Sequence, residues 1–489
     1  MRGRLFVLAL FAGLASALAF GCGSDRGSGG ADRGGAHSDS AGRATTARTG
    51  ALPNIILLDL DTFRGDRVGL YDAIRRGTDG ARANTPHLDR LAKNGLYFPN
   101  AFSQAPRTLQ SQMSIVTSRY PGSHDVGSER WALPDSATTL AGVLSDAGYE
   151  TAAFVDLGWV RAKYGFDAGF DLFDESGGAL GAIVPRALAW LDARESRKPF
   201  FVWLHAYDTH SPYDPRCLGE ERVVTGMKFG KNPGFEGRLQ PHEIQAILRE
   251  RKKWRAFPDS TRQLMEASYD HAIGCADTWV GELLGGLDSL GVSENTIIAC
   301  VSDHGEAFLE HGLFFHISLH HEILRVPFFI VAPGRGGTSI VDDRVVETID
   351  LAPTLLDLAG LAPQPAFEGM SLTRGGALRP RDEWAAKVAF AETSPWDGKD
   401  LWWSMTTDSL HFLRSVKTGE RELYAWRVDP QEKNELAKSD SVLADRMQAA
   451  LLEWAARTSA SDKPGHKPEP IEEPSAEEME QMRALGYVQ

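Results

Sequence analysis

The stretch NIILLDLDT at residues 54–62 is the part of the sequence that decides the fold. Residues 54–60 form a short and nearly continuous apolar run, which is typical of a strand buried on both faces of a parallel sheet. The run ends in polar side chains, among them Asp61 and Thr62. Because ligands bind beyond the carboxyl ends of the strands in such sheets, the end of this strand is a candidate site.

Similar apolar runs recur along the chain with helical patterns between them. They lie at residues 151–155, 200–205, 296–301 and 326–331. This alternation predicts an α/β domain with a mostly parallel central sheet flanked by helices, which we place at residues 51–380.

The pattern of apolar and polar residues changes near residue 385. Alternating segments at 401–405, 410–416 and 422–424 predict a small antiparallel sheet, and the pattern at 441–457 predicts an amphipathic helix. We therefore expect a small C-terminal subdomain at residues 381–489.

The composition excludes some classes of protein. Of the 489 residues, 42% are hydrophobic and 24% are charged, as in soluble globular proteins with a large core. A formal net charge of -14 argues against nucleic-acid binding, which needs a basic surface. An anionic substrate must therefore meet a local positive site, such as a metal ion. The oligomeric state stays open.

The N-terminus is typical of an export signal. Arg2 and Arg4 precede an apolar run at residues 5–20, and the segment LAFGC at 18–22 resembles a bacterial lipobox whose Cys22 is acylated. We expect a signal peptide at 1–22, a flexible Gly/Ser-rich linker at 23–50, and an exported lipoprotein of the bacterial cell envelope, anchored in the membrane through Cys22. A simple cleaved signal or an uncleaved anchor is the alternative.

Polar side chains follow three of the predicted strands. They are Asp61 after the first, Asp208 and His210 after the second, and Asp303, His304, Glu306, His311 and His316 after the third. Each alone has a structural explanation, such as a helix cap or a turn. Together they occupy the edge where a parallel sheet gathers its functional loops.

Thr108 stands in the segment RTLQSQ at residues 107–112, at the start of a predicted helix. Threonine at such a position is commonly an N-cap. A hydroxyl at a helix N-terminus is also well placed near an anionic ester, because free N–H groups point at it. If Asp61, Asp303 and His304 hold a divalent cation against this hydroxyl, its pKa falls and it becomes a nucleophile.

Several motifs together resemble the sulfatase family of the alkaline-phosphatase superfamily. They are PNIILLDLDTFRGD at 53–66, NTPHLDRLA at 84–92, FFVWLHAYDTHSPY at 200–213, SDHGE at 302–306, EHG at 310–312, RVP at 325–327, DLAPTL at 350–355, ELY at 422–424 and DP at 429–430. The resemblance covers nearly all of the chain after residue 51. It implies the alkaline-phosphatase-like fold and a metal-dependent hydrolase that acts on sulfuric or phosphoric ester bonds of an anionic substrate.

The resemblance also implies roles for individual residues. One divalent ion is expected on Asp61, Asp303, His304 and Thr108; the family suggests calcium or magnesium, while the His304 ligand favours zinc or manganese.

The nearby histidines also receive roles. His210 and His316 are candidates for binding the ester anion or protonating the leaving group, and His311 could do either. His320 and His321 fall on a predicted helix, and we expect them to be structural.

The sequence departs from the family at the nucleophile. Thr108, Gln110 and Gln112 occupy the positions of the C-x-P-x-R signature, whose Cys or Ser is oxidised to formylglycine, and Thr62 replaces a second carboxylate. Oxidation of a secondary alcohol gives a ketone, so formylglycine is not expected here. A plain Thr nucleophile resembles the phosphodiesterase and phosphotransferase relatives, which leaves sulfate and phosphorus esters both open.

Three functions are consistent with the sequence. The first is a hydrolase in which Thr108 forms a covalent ester intermediate on a glycan or lipid substrate. The second is a phosphoryl-group transferase. The third is a non-catalytic envelope lipoprotein that keeps the fold and binds an anionic glycan.

Overall fold

The computed structural model describes residues 52–71, 84–127, 130–156, 158–213, 251–334, 339–384, 387–393, 400–458, 468–470 and 475. The signal peptide, the linker and Cys22 lie outside these residues, so the lipoprotein assignment stays a prediction. Within the described ranges, no helix combines the length and the apolar character needed to cross a membrane.

A central sheet of eight strands forms the core of the structure. Its strands are β1 (Asn54–Leu60), β2 (Leu96–Tyr97), β3 (Glu150–Val155), β4 (Leu172–Asp174), β5 (Phe200–Ala206), β6 (Thr296–Val301), β7 (Phe328–Val331) and β8 (Ile340–Val341). They are arranged in the order β8-β2-β7-β6-β1-β5-β3-β4. Strand β1 lies between β5 and β6 and is parallel to both, which confirms the mostly parallel sheet.

The strand predicted at 326–331 begins two residues later than expected. Strand β7 begins only at Phe328, and it runs antiparallel to both of its neighbours, β6 and β2. The preceding segment Arg325–Val326 pairs instead with Ala101–Phe102 in a separate small sheet. Pro327 lies between the two segments, and a proline cannot donate a hydrogen bond to a continuous ladder.

Helices cover both faces of the sheet. They are α1 (Pro86–Lys93), α2 (Thr108–Thr117), α3 (Pro121–His124), α4 (Leu140–Asp146), α5 (Ala179–Asp192), α6 (Asp259–Ser289), α7 (His321–Leu324), α8 (Leu351–Ala359) and α9 (Ser441–Thr458). Alternate residues of β1 enter opposite cores: Ile56 and Leu58 join one apolar cluster, and Ile55 and Leu57 join the other. This burial on both sides is why the strand is apolar at almost every position.

A second sheet is antiparallel and comes from the C-terminal part of the chain. Its strands are β9 (Ala389–Glu392), β10 (Trp402–Thr406), β11 (His411–Ser415) and β12 (Arg421–Tyr424), in that order. Helix α9 packs beside it through Leu451 and Trp454, which share an apolar cluster with Phe412. The predicted subdomain elements are confirmed, and β9 is an additional strand.

Small paired segments complete the described structure. They are Trp131–Ala132 with Glu469–Pro470, Ala307–Phe308 with Phe314–Phe315, Thr373–Arg374 with Ala377–Leu378, and Val346–Glu347 beside Ala101–Phe102. Two cysteines are described: Cys275 on α6 is disulfide-bonded, and Cys300 on β6 is a buried free thiol.

Candidate active site

The ends of three adjacent parallel strands define the site. Because β1 pairs with both β5 and β6, the residues that follow these strands meet at one edge of the sheet. The amide of Asp61 donates to the carbonyl of Ala206 at 3.0 Å, which fixes the chain just beyond β1. Asp303 and His304 follow β6, and both are fully buried.

Helix α2 brings Thr108 to this edge. Thr108 is its first residue and Arg107 is the N-cap, so the simple N-cap interpretation of Thr108 is wrong. The Thr108 hydroxyl donates to Oδ2 of Asp61 at 3.0 Å and lies 3.4 Å from Nε2 of His304. The structure therefore brings the predicted nucleophile and two of its predicted partners together.

The geometry of His304 fits a bound cation. Its Nδ1 lies 3.0 Å from the carbonyl of Gly305, which can only accept, so Nδ1 carries the proton and Nε2 presents a lone pair. This lone pair faces Oδ2 of Asp303 at 3.3 Å, and that oxygen is buried with no hydrogen-bond partner. Two lone pairs facing each other in a buried site are unfavourable unless a positive charge lies between them.

One ligand atom from each of Asp61, Asp303 and His304 lies within 4.8 Å of the others. The predicted metal-binding residues are therefore assembled, and their donor set of two carboxylates and one imidazole fits a divalent ion.

Thr62 connects the two aspartates. Its backbone N–H donates to Oδ1 of Asp303 at 3.0 Å, and its hydroxyl donates to Oδ1 of Asp61. It adopts a left-handed conformation with φ of 62°. This conformation is strained for a β-branched residue. The residue that replaces a second carboxylate thus holds the remaining two in place.

The electrostatics of this edge also call for a cation. Burial, reinforced by the charge of Asp303, raises the pKa of Asp61 well above its usual range. Burial raises the pKa of Asp59 to about 7, although His205 opposes the shift. Three carboxylates in one buried region are costly to ionise together without a counter-charge.

Sequence reasoning missed two residues, Asp59 and His205. They are register partners on β1 and β5, and both are fully buried. Nε2 of His205 lies 3.7 Å from Oδ2 of Asp61, and neither ring nitrogen of His205 has a hydrogen-bond partner. Their signal in the sequence was a polar residue inside each of two otherwise apolar strands.

Gln112, which stands where the family motif has Arg, also belongs to this region. It is fully buried and lies beside the Asp59 carboxylate. A neutral amide at this position brings hydrogen-bonding capacity to the site without the positive charge of a guanidinium.

His210 and His316 form a second layer of the site. The ring of His316 lies 4.3 Å from the ring of His304 and 5.3 Å from that of His210, measured between centroids. Nδ1 of His316 lies 3.3 Å from Oε1 of Glu306, whose Oε2 accepts from Tyr213 at 3.0 Å. His316 therefore lies beside the candidate metal ligand His304, and His210 lies beside His316.

Burial and the neighbouring His316 together lower the pKa of His210 to about 3. Nδ1 of His210 donates to the carbonyl of Ser211 at 2.6 Å, which leaves the proton-accepting function to Nε2.

Two other candidates lie elsewhere. Asp208 accepts from the backbone N–H of Leu180 at 2.8 Å, so it caps helix α5. His311 stacks on His320 with the ring centroids 3.6 Å apart and lies near Tyr424 of the C-terminal sheet. The structure does not bring His311 to Thr108, because the left-handed turn at Leu309 and His311 directs this segment toward the C-terminal part of the chain.

Comparisons with known proteins identify the family. The Sulfatase family model matches residues 53–361, and the model of the N-sulphoglucosamine sulphohydrolase C-terminal region matches residues 309–456. An arylsulfatase of Clostridium perfringens is 26% identical over 456 residues, which cover 79% of this chain and 91% of that protein. An N-acetylglucosamine-6-O-sulfatase of Bacteroides thetaiotaomicron is 23% identical, and the match covers 85% of this chain and 88% of that protein.

Two solved structures share the fold. One, determined with its substrate D-glucosamine-2-N,6-O-disulfate, superposes with a TM-score of 0.69 at 20% identity, covering 84% of this chain and 99% of that one. The phosphonate monoester hydrolase of Agrobacterium radiobacter gives a TM-score of 0.64 at 18% identity, covering 86% and 100%. Since the Sulfatase model spans more than half of the sequence, the chain belongs to the sulfatase family of the alkaline-phosphatase superfamily, and it is a hydrolase of that class.

Proposed function

We propose that this protein hydrolyses anionic sulfate or phosphate-type esters through a covalent intermediate on Thr108. The observation that carries the proposal is the position of the Thr108 hydroxyl, 3.0 Å from Asp61 and 3.4 Å from His304 at the start of helix α2. These contacts hold the oxygen at the point where the candidate metal ligands converge.

The residues divide the reaction into two displacements. In the first, the Thr108 oxygen forms a bond to sulfur or phosphorus, its proton passes to Asp61, and the alcohol leaves with a proton from His316. In the second, water attacks the same centre and passes a proton to His316, and inorganic sulfate or phosphate leaves as Asp61 returns its proton to the Thr108 oxygen. A divalent cation held by Asp61, Asp303 and His304 would lower the pKa of the Thr108 hydroxyl and offset the negative charge of the ester.

Glu306 orients the proposed acid. Its carboxylate lies between Nδ1 of His316 and the hydroxyl of Tyr213, which fixes the ring of His316 beside His304. A carboxylate that accepts from Nδ1 also stabilises the protonated ring. His210 lies beside His316, and its Nε2, which carries no proton, can accept a hydrogen bond from the attacking water.

The chemistry of Thr108 bears on the substrate. Because threonine cannot become formylglycine, the intermediate has no aldehyde to regenerate and must be cleaved by a second attack at the central atom. Displacement at phosphorus proceeds readily in this way, and a phosphonate hydrolase shares the fold. Relatives named for sulfated sugars, such as the N-acetylglucosamine-6-O-sulfatase, support a saccharide as the organic part.

The test compares two Thr→Val substitutions on helix α2, each of which removes a hydroxyl and nearly preserves the shape of the side chain. Thr108→Val removes the proposed nucleophile, whereas Thr117→Val removes a buried hydroxyl that donates to the carbonyl of Met113. Both are assayed with 4-nitrophenyl sulfate, 4-nitrophenyl phosphate and 4-nitrophenyl phenylphosphonate. We expect at least about a 1000-fold loss of turnover for Thr108→Val and near wild-type rates for Thr117→Val.

Mass spectrometry of acid-quenched wild type during turnover should show a sulfo or phosphoryl group on Thr108. An unmodified Thr108 together with an active Thr108→Val variant would refute the mechanism. Absence of turnover by the wild type with all three esters would favour the non-catalytic binding protein.

A further inference from the structure

A second group of buried metal-binding side chains lies apart from Thr108, where the segment 311–322 meets the C-terminal part of the chain. This histidine cluster consists of His311, His320, His321, His411, Glu322 and Glu432. All six side chains are largely buried, and Glu432 is at its centre.

One half of the histidine cluster is a hydrogen-bonded support. Nδ1 of His411 donates to Oε1 of Glu432 at 2.6 Å, and the ring of His411 stacks on that of His321 with the centroids 4.2 Å apart. Nε2 of His321 contacts the hydroxyl of Thr406 at 3.2 Å, and its backbone N–H donates to Oε2 of Glu432 at 3.2 Å. These contacts fix the Glu432 carboxylate from one side.

The other half presents ligand atoms without well-aligned hydrogen-bond partners. They are Nε2 of His311, Nδ1 of His320 and Oε1 of Glu322, and all three are buried. Nδ1 of His320 lies 3.4 Å from Oε2 of Glu432, and Nε2 of His311 lies 3.9 Å from Oε2 of Glu322. Nδ1 of His321 and Nε2 of His411, in the first half, also lack hydrogen-bond partners. Five unsatisfied buried polar atoms in one place are rare in folded proteins and indicate a missing partner.

The spacing of these atoms suits a small transition-metal ion. A tetrahedral zinc ion with bonds of about 2.0–2.1 Å holds its ligand atoms about 3.3–3.4 Å apart, close to the separation of His320 and Glu432. A pair of imidazoles with carboxylates is also a donor set that zinc accepts. Because His311 and His320 are stacked, one ring must rotate for both lone pairs to point at the same ion.

The backbone supports the same interpretation. His311 and Glu432 both adopt left-handed conformations, with φ of 54° and 51°. Non-glycine residues in this region are strained, and such strain persists where the surrounding structure or a ligand requires it. Two of the three converging side chains are therefore placed by uncommon backbone geometry.

We propose that His311, His320 and Glu432 bind one zinc-like transition-metal ion, with Glu322 beside His311, separate from the ion at the Thr108 site. The ion fastens the C-terminal part of the chain, through Glu432, to the segment that follows the active-site motif at 302–306.

The experiment counts ions and requires no turnover, so its result is independent of the proposed function. The full chain carrying Asp61→Asn and Asp303→Asn, which disables the Thr108 site, is stripped with chelator, dialysed against Zn²⁺ and analysed by elemental mass spectrometry. We expect one zinc per chain, and none after the further substitution His320→Gln. A matched control, His87→Gln on helix α1, should retain one zinc.

A second variant and a spectroscopic measurement guard against misfolding. His311→Gln should also abolish zinc binding, and circular dichroism of both variants should stay native. When the Asp61→Asn, Asp303→Asn protein is loaded with Co²⁺, its absorption spectrum should show visible d–d bands. The further substitution His320→Gln should abolish these bands. Zero zinc in the background protein, or one zinc remaining in the folded His320→Gln and His311→Gln variants, would overturn the proposal and leave a purely hydrogen-bonded network.

Discussion

The site around Thr108 and the histidine cluster are both buried groups of imidazoles and carboxylates, but their balance of charge is opposite. Around Thr108, the carboxylates of Asp59, Asp61 and Asp303 crowd together, and burial raises the pKa of Asp61 well above its usual range. In the histidine cluster, four imidazoles surround the carboxylate of Glu432.

The pKa of Glu432 shows the consequence. Burial alone would raise this pKa, but His321 and His411 outweigh burial and hold it well below its usual range. Around Thr108, the repulsion between buried carboxylates is not compensated by the protein alone, as is common at catalytic sites. In the histidine cluster, the imidazoles compensate the charge of Glu432, and this interaction stabilises the fold.

The largest expected effect is on catalysis, from Asp303→Asn. This substitution removes the charge that faces His304 while an amide oxygen can still accept from the N–H of Thr62. We expect kcat/KM to fall at least about 1000-fold, equivalent to about 4 kcal/mol. The measurement is steady-state kinetics on the 4-nitrophenyl ester that the wild type cleaves best.

The matched control is Asp277→Asn on helix α6. Asp277 is also a buried aspartate, but it accepts from the backbone N–H groups of His87 at 3.0 Å and Leu88 at 2.8 Å and so caps helix α1. The substitution should lower the free energy of unfolding by about 1 kcal/mol and leave kcat/KM within about threefold. Equal losses of activity in both variants would show that any buried charge, rather than this cluster, controls the rate.

The next effect is on stability, from Glu432→Gln measured by urea unfolding in chelator. Removing this carboxylate leaves His411 and its neighbours without their shared acceptor. We therefore expect the free energy of unfolding to fall by about 3–5 kcal/mol. Asp303→Asn under the same conditions should cause a smaller loss, because the charge that it removes repels Asp61 but attracts His304. Losses of the same size in both would abolish the distinction between the two regions.

Glu422→Gln is the control for the histidine cluster. Glu422 also lies near His320, at 3.8 Å, but its side chain is 27% exposed. A partly solvated ion pair contributes little, so the expected loss is below about 1 kcal/mol.

The sequence predicted the Thr108 site better than the histidine cluster for a physical reason. In a parallel sheet, the carboxyl ends of all strands lie at the same edge. Asp61, Asp303 and His304 could therefore be grouped from their positions after apolar runs. Thr108 could be added because its segment starts a helix. The divalent ion and the hydrolase class followed from this grouping together with the family resemblance.

The residues that escaped prediction depend on packing between distant segments. Asp59 and His205 meet only because β1 and β5 are neighbours in register, which no local pattern reveals. His311 was grouped with the site because it follows Asp303 closely, but a left-handed turn sends it to Glu432, more than a hundred residues away in the sequence.

The smallest expected effect concerns His124, a histidine that belongs to neither region and so provides a reference for a buried imidazole without a carboxylate. Burial and the charge of Arg119 lower its pKa to about 3, and its Nδ1 must stay unprotonated to accept from the N–H of Val126 at 3.1 Å. The unfolded chain takes up a proton near the ordinary histidine pKa of 6.5, whereas the folded chain does not until about pH 3. This group therefore makes stability fall as the pH drops through that interval.

Urea unfolding between about pH 5.5 and 4 checks this reference. Wild type should lose about 1 kcal/mol more per pH unit than His124→Gln, which has no imidazole to protonate. Ser114→Ala removes only a contact to Nε2 of His124, at 3.2 Å, and should keep the wild-type slope. Identical slopes in wild type and His124→Gln would mean that burial alone does not keep an imidazole neutral in this protein, and the low pKa of His210 beside the Thr108 site would then need another cause.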